Sequence, residues 1–381
     1  MDSKLFDKHS PGKLISVPEA GAAFIPDPLP ASFQFDPSLW PLLADARESV
    51  SLLEGIGRTL PNPGILLRPL EDREALQSSR LEGTYITAKE FLIFDLDSDI
   101  KPDRVDDWRE VHNYRRALKH GQDSPLPISQ RLILELHQIL MAGIPRADMT
   151  PGKFRTHQVA IGSNKRFVPP PPTVLKDCLN SFESYVHDTP PFHALIHCFL
   201  CHYQFETIHP FHDGNGRVGR LLLALMLQQR CGLSRPWLYL SDILERNREE
   251  YCARLFNVSA NGDWNGWLEF CLKATIVQAK ETIDRCDQLQ KIRESIRQKV
   301  SEGSGAVRLH SIIDRLFSSP FVRVVELTHL LGVSFPTARS DCNRLEELGI
   351  LTQLPNLSPI TYYCREIFNV AYNKIGDDDS E

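Results

Sequence analysis

Residues 209–220, HPFHDGNGRVGR, run without a break into the apolar stretch 218–227, VGRLLLALML, and this junction restricts the fold more than any other part of the chain. So apolar a run is predicted to form a buried helix, which puts a tight polar turn at the N-terminus of an interior element. Gly214 and Gly216 flank Asn215 and let the backbone turn with its N–H groups inward, a concave anion nest that side-chain bulk would block. The helix start adds unpaired N–H groups and the positive end of a dipole. Arg217 and Arg220 are three apart, share a helix face and are placed to grip phosphate oxygens. Asp213 offers a hard oxygen ligand, better suited to Mg²⁺ bridging phosphates than to zinc. His209 is then free to act as a base. Together these residue types point to phosphoryl or nucleotidyl transfer.

Competing readings fail on spacing. No G-x-x-x-x-G-K-[ST] occurs, which excludes a P-loop. His193, His197, Cys198, Cys201 and His202 suggest zinc, but they share one run, FHALIHCFLCHYQF, with no second Cys pair and no H-E-x-x-H. Helix packing is the expectation for most of them.

HPFHDGNGRVGR resembles the signature of the Fic family, H-x-F-x-D/E-G-N-G-R-x-x-R, with every specified position met, and HYQFETIHPF resembles the family's usual lead-in. Proteins of this family typically transfer AMP from Mg-ATP to a hydroxyl of a target protein. The resemblance implies that His209 deprotonates the target Ser, Thr or Tyr hydroxyl, which attacks the α-phosphate, and that Asp213 holds Mg²⁺. It implies further that Asn215 and the amides of Gly214 and Gly216 cradle the phosphates, that Arg217 binds them from the helix start, and that Arg220 holds the γ-phosphate. Such chemistry rests on positioning and charge stabilisation, with no covalent enzyme intermediate. Phe211 is expected to anchor the loop on the core.

A second feature lies upstream at SSRLEG, residues 78–83. Ser78 and Glu82 are four apart on one helix face, and Gly83 is the expected left-handed residue closing that helix. Thr87 and Glu90 have capping-box spacing for the next helix. Taken alone, Ser78 and Glu82 read as a solvated face. The segment is, however, similar to the family's inhibitory motif, [S/T]-x-x-x-E-[G/N]. That likeness implies that Glu82 pairs with Arg220, competing with the γ-phosphate, while Ser78 steadies the inhibitory helix.

The chain's 381 residues suffice for several domains, and 42% hydrophobic content can fill their cores. No secretory-signal pattern and no membrane-length apolar run is present, so the reading is a cytoplasmic enzyme without a membrane span. Nine cysteines, many within apolar helical stretches, read as reduced buried thiols. The net charge of −6 gives no global pull toward nucleic acid.

The predicted fold class is mainly α: a Fic-like helical core with a small β-hairpin flap, followed by a winged-helix (α+β) domain. Residues 1–105 form the N-terminal region with the inhibitory helix, beginning as a proline-rich extended arm over residues 1–40. Residues 106–272 form the catalytic core, with helices expected at 108–118, 128–141, 173–188, 191–207 and 217–231. Within it, QVAIGSNKRFV at 158–168 reads as a hairpin, and in Fic proteins a flap at this place aligns the target by strand addition. Ser241–Asn257 resembles the family's nucleoside-covering segment, making Asn247 and Tyr251 candidates for adenosine contacts, with Tyr239 and Leu240 beside the base.

Residues 273–304 are read as a connecting amphipathic helix and a joint at SEGSG, 301–305. Residues 305–381 carry the cadence of a winged helix: one helix to Leu331, a turn, a second helix from about Pro336 to Leu348, and TYY at 361–363 as a wing strand. Residues 301–381 hold seven Lys/Arg against eleven Asp/Glu, and Arg339 and Arg344 alternate with Asp341, Glu346 and Glu347. Protein contact or homodimerisation is therefore favoured over DNA binding.

Three functions stay open on these grounds. One is an autoinhibited adenylyltransferase that also modifies itself. Another is an ATP-sensing winged-helix transcriptional regulator. The last keeps the site but reverses the chemistry, with Glu82 activating water to remove AMP.

Overall fold

The computed structural model describes every residue except 19–20, 31–35, 61–62, 97–104, 145–149, 163–164, 190, 301–305, 356 and 373–381. Its N-terminus is more than an extended arm. After a short 3-10 turn at Ser3–Leu5, strands β1 (Gly12–Val17) and β2 (Gly21–Pro26) pair antiparallel, from Gly12 opposite Pro26 to Val17 opposite Gly21. Ile15, Val17, Phe24 and Ile25 suit a pleated surface, and the prolines fall at or beyond strand ends, where no ladder bond is lost. The extended conformation agrees with the arm expected there, and the pairing of its two strands is the addition. The Phe24 N–H donates to the Val168 carbonyl at 2.8 Å, and its buried ring packs against Phe6 and Phe167, so the hairpin braces the segment expected to be the flap.

Helices then follow almost continuously: α1 (Leu39–Thr59), α2 (Gly64–Arg80), α3 (Ala88–Leu96), α4 (Val105–Asp123) and α5 (Gln130–Leu140). Gly83, with φ of +91°, turns the chain after α2, and Thr87 with Glu90 makes the reciprocal capping box before α3, at 3.1 and 2.9 Å. Between α5 and the next helix, Ile161 and Phe167 exchange both backbone bonds, at 2.8 and 3.1 Å, as a single antiparallel bridge. The hairpin expected over 158–168 is thus seen at one bridged pair, and the turn residues Ser163 and Asn164 lie outside the described residues.

Pro172 opens α6 (Pro172–His187), where its missing N–H costs nothing. Next come α7 (Ala194–Ile208), α8 (Asn215–Arg230), α9 (Ser241–Arg246), α10 (Arg248–Asn261) and the long α11 (Trp264–Val300). α7 and α8 are buried along almost their whole lengths and pack on each other, with α4 and α5 alongside and α1 laid along α11. α11 includes the stretch expected as a connecting helix after residue 272 and begins already at Trp264, and the joint at 301–305 lies outside the described residues.

The C-terminal unit comprises α12 (Ala306–Leu316), β3 (Phe321–Arg323), α13 (Val324–Leu331), α14 (Phe335–Glu347), β4 (Thr352–Gln353), β5 (Thr361–Tyr363) and α15 (Arg365–Tyr372). Its sheet has the order β3-β5-β4, all antiparallel, and Gly332 at φ +64° ends α13, as the helix-turn-helix cadence requires. Asp341 is buried and paired with Arg308 at 2.8 Å, and Glu346 accepts the Gln353 N–H at 2.9 Å. Of the acids that alternate with arginines along α14 in sequence, Asp341 is therefore turned into the domain, while Glu346 and Glu347 stay exposed. Alternation along a helix does not place residues on one face.

No described helix is long and apolar enough to cross a membrane.

Candidate active site

The sequence between α7 and α8 folds into a loop held from every side. His209 ends α7 in the left-handed region, φ +50° and ψ +62°, a conformation costing a non-glycine residue about 1–2 kcal/mol. Arg155 offsets this by tying down the carbonyls around it. Its Nε donates to the His209 carbonyl at 2.8 Å, its Nη1 to that of His157 at 3.3 Å, and its Nη2 to Ile208 at 3.4 Å and to Pro170. Burial, with no carboxylate to compensate it, lowers Arg155 to about 10, still protonated at neutral pH.

Asn215 then closes the loop on itself. Its Oδ1 accepts the Phe211 N–H at 2.8 Å while its Nδ2 donates to the Phe211 carbonyl at 2.9 Å, so the side chain expected to cradle phosphates is committed to loop geometry. Phe211 is fully buried, as an anchor should be, and stacks on His137 with centroids 3.7 Å apart. The Gly152 N–H donates to Nδ1 of His137, which leaves its Nε2 to donate to the Asp213 carbonyl at 3.1 Å. Burial lowers His137 to about 4 and keeps that neutral tautomer.

His209 is in the same state. Burial lowers it to about 4, and its Nδ1 donates to the Glu206 carbonyl at 3.3 Å, which leaves the lone pair on Nε2. Gly214 takes φ +79° at the start of α8, and its N–H donates to Asp213 Oδ1 at 2.6 Å.

The two arginines expected to grip phosphate oxygens are each paired in this conformation. Arg217 is fully buried and pairs with Glu110 Oε2 at 2.7 Å, an oxygen that also accepts the Thr84 hydroxyl at 2.6 Å. Arg220 is held separately: Nε donates to Ser78 Oγ at 2.8 Å, and Nη2 donates to the Ser78 carbonyl and to Glu82 Oε1, each at 2.8 Å. The fold thus gives each guanidinium its own carboxylate. Burial would raise the Glu82 carboxyl, but Arg220 outweighs it and holds Glu82 below its usual range. Burial likewise opposes the Arg220 charge, and Glu82 in turn raises Arg220 above its ordinary value.

Gly216 is what lets Glu82 approach. A Cβ there would lie 2.2 Å from Glu82 Oε1 and 2.7 Å from Arg220 Nη1. Beneath, Glu206 faces the bare Gly219, whose Cβ would lie 2.1 Å from Glu206 Oε1, an oxygen buried without a hydrogen-bond partner. Burial raises Glu206 to about 7, Arg220 lowering and Glu82 raising it further.

The adenosine candidates are placed otherwise. Tyr251 is buried, and its hydroxyl meets His202 Nε2 at 2.8 Å while His202 Nδ1 donates to the Gly219 carbonyl at 3.2 Å. The Asn247 side chain donates back to the Ile243 carbonyl at 2.8 Å. Tyr239 and Leu240 are buried, Tyr239 accepting from Gln122 at 3.0 Å. His197 and His193 serve packing and capping, His197 Nε2 donating to the Tyr185 carbonyl at 2.9 Å and His193 Nδ1 accepting the Leu195 N–H at 3.2 Å.

Arg155, His137, Glu110 and Glu206 escaped the sequence reading. Their partners are backbone carbonyls, a ring face or residues far away in the chain, and none of those contacts leaves a spacing pattern.

For a divalent cation, Asp213 is the one candidate ligand that the loop presents. It is half-exposed and its Oδ1 is oriented by the Gly214 amide, with Arg217 3.8 Å away. Among the described residues no cluster of three His, Cys, Asp or Glu could hold a metal. A single carboxylate suits Mg²⁺ that arrives on substrate phosphates and keeps its waters.

A tight, largely buried turn at a helix start, with a neutral histidine beside it, is the site that this helical core builds. Residues 40–123 match the family model described as Fic/DOC family N-terminal, 127–227 that of the Fic/DOC family, and 308–355 that of a DeoR-like helix-turn-helix domain. The chain belongs to the Fic family. It is 28% identical over 217 residues to the protein adenylyltransferase Fic of Drosophila willistoni, covering 54% of this chain and 40% of the fly protein. It is 31% identical over 142 residues to a probable protein adenylyltransferase of Aquifex aeolicus, covering 37% and 40%. The chain thus spans less than half the length of these curated relatives. In fold it is similar to a Fic family protein from Desulfovibrio desulfuricans, with TM-score 0.58 at 21% identity over 87% of this chain and 97% of that one. It is also similar to Fic-1 of C. elegans, with TM-score 0.53 at 22% identity over 65% and 74%.

Proposed function

We propose that this site transfers AMP from Mg-ATP to a Ser, Thr or Tyr hydroxyl of a target protein and of the chain itself, and that the conformation described is its inhibited state. One observation carries the reading: the Glu82 carboxylate lies against Gly216 and takes Arg220 at 2.8 Å, where the γ-phosphate of a bound nucleotide would otherwise find its cation. Curated relatives named protein adenylyltransferases support the class of reaction.

Each residue then has a task. His209, neutral down to about pH 4, accepts the target hydroxyl's proton on Nε2 as that oxygen attacks the α-phosphate. Backbone N–H groups at the start of α8, from Asn215 and Gly216 on, bind phosphate oxygens, while the Asn215 side chain and Arg155 keep the turn in shape. Arg220 passes from Glu82 to the γ-phosphate, and pyrophosphate leaves. Asp213 would hold Mg²⁺, which when bound neutralises phosphate charge. Arg217 holds Glu110 and stands behind Asp213 in support of the loop. The bridged segment at Ile161 and Phe167 serves as the flap that aligns the target, stiffened by the N-terminal hairpin. Self-association, the cytoplasmic setting and the choice between protein and DNA at the winged helix belong to the same proposal.

The test is incubation of the chain with labelled ATP and Mg²⁺, read as AMP mass shift, for wild type, Glu82→Gly and Glu82→Gly/His209→Ala. Labelling that appears in the single variant and vanishes in the double supports transfer. ATP binding without labelling of the chain or of any added protein would remove the adenylyltransferase reading. AMP release from a labelled protein that needs Glu82 would turn it toward AMP removal.

A further inference from the structure

The inhibitory helix α2 carries a run of side chains that are polar yet buried: Asp72, Arg73, Glu74, Gln77 and Ser78 are each at most 3% exposed. Buried polar groups need partners, and the partners of this run come from four separate elements. Glu74 accepts from Tyr114 at 2.7 Å on α4 and from the Ser241 hydroxyl at 2.6 Å on α9, and Ser78 meets Arg220 on α8. Of the remaining three, Gln77 also turns to α9, while Asp72 and Arg73 reach α15 of the C-terminal unit.

The Tyr372 hydroxyl donates to Asp72 Oδ2 at 2.9 Å, while Arg115 on α4 donates to Asp72 Oδ1 at 3.0 Å. Arg73 Nη1 donates to the Ala371 carbonyl at 3.4 Å, and its Nη2 to Asp242 Oδ2 at 2.6 Å. Gln77 adds a bond to Asp242 Oδ1 at 3.3 Å, and Arg285 on α11 donates to the Val370 carbonyl at 3.2 Å. Two guanidinium groups therefore sit at the C-terminal carbonyls of α15, the negative end of that helix. The arrangement is not fully satisfied, since Arg285 Nη1 is buried without a hydrogen-bond partner.

We propose that α15 is a brace through which the C-terminal domain sets the inhibitory helix, with Asp72 and Arg73 as positioning residues for Glu82. The inference rests on the reading of Glu82 as the clamp on Arg220. α2 is continuous from the braced pair to Arg80, roughly 10 Å along the axis at 1.5 Å per residue, and the turn that closes it carries Glu82, whose N–H donates to the Ser79 carbonyl at 3.0 Å, so a displacement of α15 is passed along the helix to the clamp. Asp242 opens α9, at the start of the segment assigned to the nucleoside, so Arg73 ties the C-terminal domain, the inhibitory helix and the nucleotide side together. A partner that engages the winged helix and shifts α15 relieves inhibition without touching the ATP loop. The brace works through hydrogen bonds of fixed geometry, which a small shift of α15 breaks together.

The experiment uses the full chain, with Tyr372→Phe, which keeps the ring and deletes the hydroxyl, and Tyr372→Leu as a second variant. Amide exchange is followed in α15, in α2 and in the turn after it through residue 82, and AMP transfer is measured beside Glu82→Gly. The expected result is about tenfold faster exchange in α2 for Tyr372→Phe, the scale of one lost bond to a charged group. Transfer should rise toward the Glu82→Gly level, and Tyr372→Phe should add nothing on top of Glu82→Gly. Faster exchange in α15 with α2 and transfer at wild-type values would overturn the brace. Unchanged exchange in both helices would also overturn it, because the hydroxyl then contributes nothing to docking. An inactive Glu82→Gly would reject the transferase reading, while exchange in α2 would still decide whether the two helices are coupled.

Discussion

Replacing Glu82 with glycine is the perturbation whose size follows most directly from the geometry. It removes one charge-assisted hydrogen bond, 2.8 Å from Arg220 Nη2 to Glu82 Oε1, and leaves both Ser78 contacts of that guanidinium in place. Bonds of this kind are worth about 1.5–3 kcal/mol when buried. The Glu82 side chain is 36% exposed, so solvent screening cuts that to about 1–2 kcal/mol. In the proposed inhibited state a γ-phosphate must displace the carboxylate before it meets Arg220, so the same energy opposes productive binding. Its removal should raise kcat/KM for ATP by about 5- to 30-fold. Glu82→Gln, which keeps the volume and an acceptor but loses the charge, should fall between wild type and Glu82→Gly. The assay is initial-rate AMP transfer over a range of Mg-ATP concentrations, with ATP affinity measured calorimetrically beside it. If Glu82→Gly leaves kcat/KM within about twofold of wild type while His209→Ala abolishes transfer, the pair with Arg220 does not restrain the site and the reasoning fails.

Three further outcomes follow from the same contacts. Because burial holds His209 at about 4, the acid limb of kcat/KM in Glu82→Gly should fall near pH 4; a limb near 6.5 would mean that the base is solvated or is another group. His137, His202 and His209 have folded values of about 4, 3 and 4, below the unfolded 6.5, so the unfolded chain binds more protons as pH falls. Stability should therefore decline between pH 6.5 and about 4, by of the order of a few kcal/mol per group, as read by urea unfolding; Glu206, raised to about 7, acts in the opposite sense, stabilising the protonated form below neutrality. Gly216→Ala should drive Glu82 off Arg220, since the new Cβ meets Oε1 at 2.2 Å, returning the Glu82 carboxyl toward its ordinary range in an NMR titration; an unshifted Glu82 would mean that the loop moves instead.

The sequence by itself determined the loop, its helix and the kinds of side chain they carry, because those properties are local. Glycines at 214 and 216, the apolar run after them and a histidine before them need no distant partner to be read. Gly83, the Thr87–Glu90 box and the turn at Gly332 were legible for the same reason: capping and left-handed turns are settled within a few residues. Pairing Glu82 with Arg220 across the chain came from the family resemblance, not from spacing. Tertiary structure decided the rest. Arg217 and Arg220 look equivalent on a helical wheel, yet Glu110 and Glu82 approach from different elements and separate them. Asn215 and Tyr251 look like ligand residues, yet the fold places Phe211 and His202 within their reach first. The N-terminal strands were hidden because each hairpin partner needs the other and Val168 to form. Burial, which lowers His137, His202 and His209 and raises Glu206, depends on every surrounding element at once, and no local pattern encodes it.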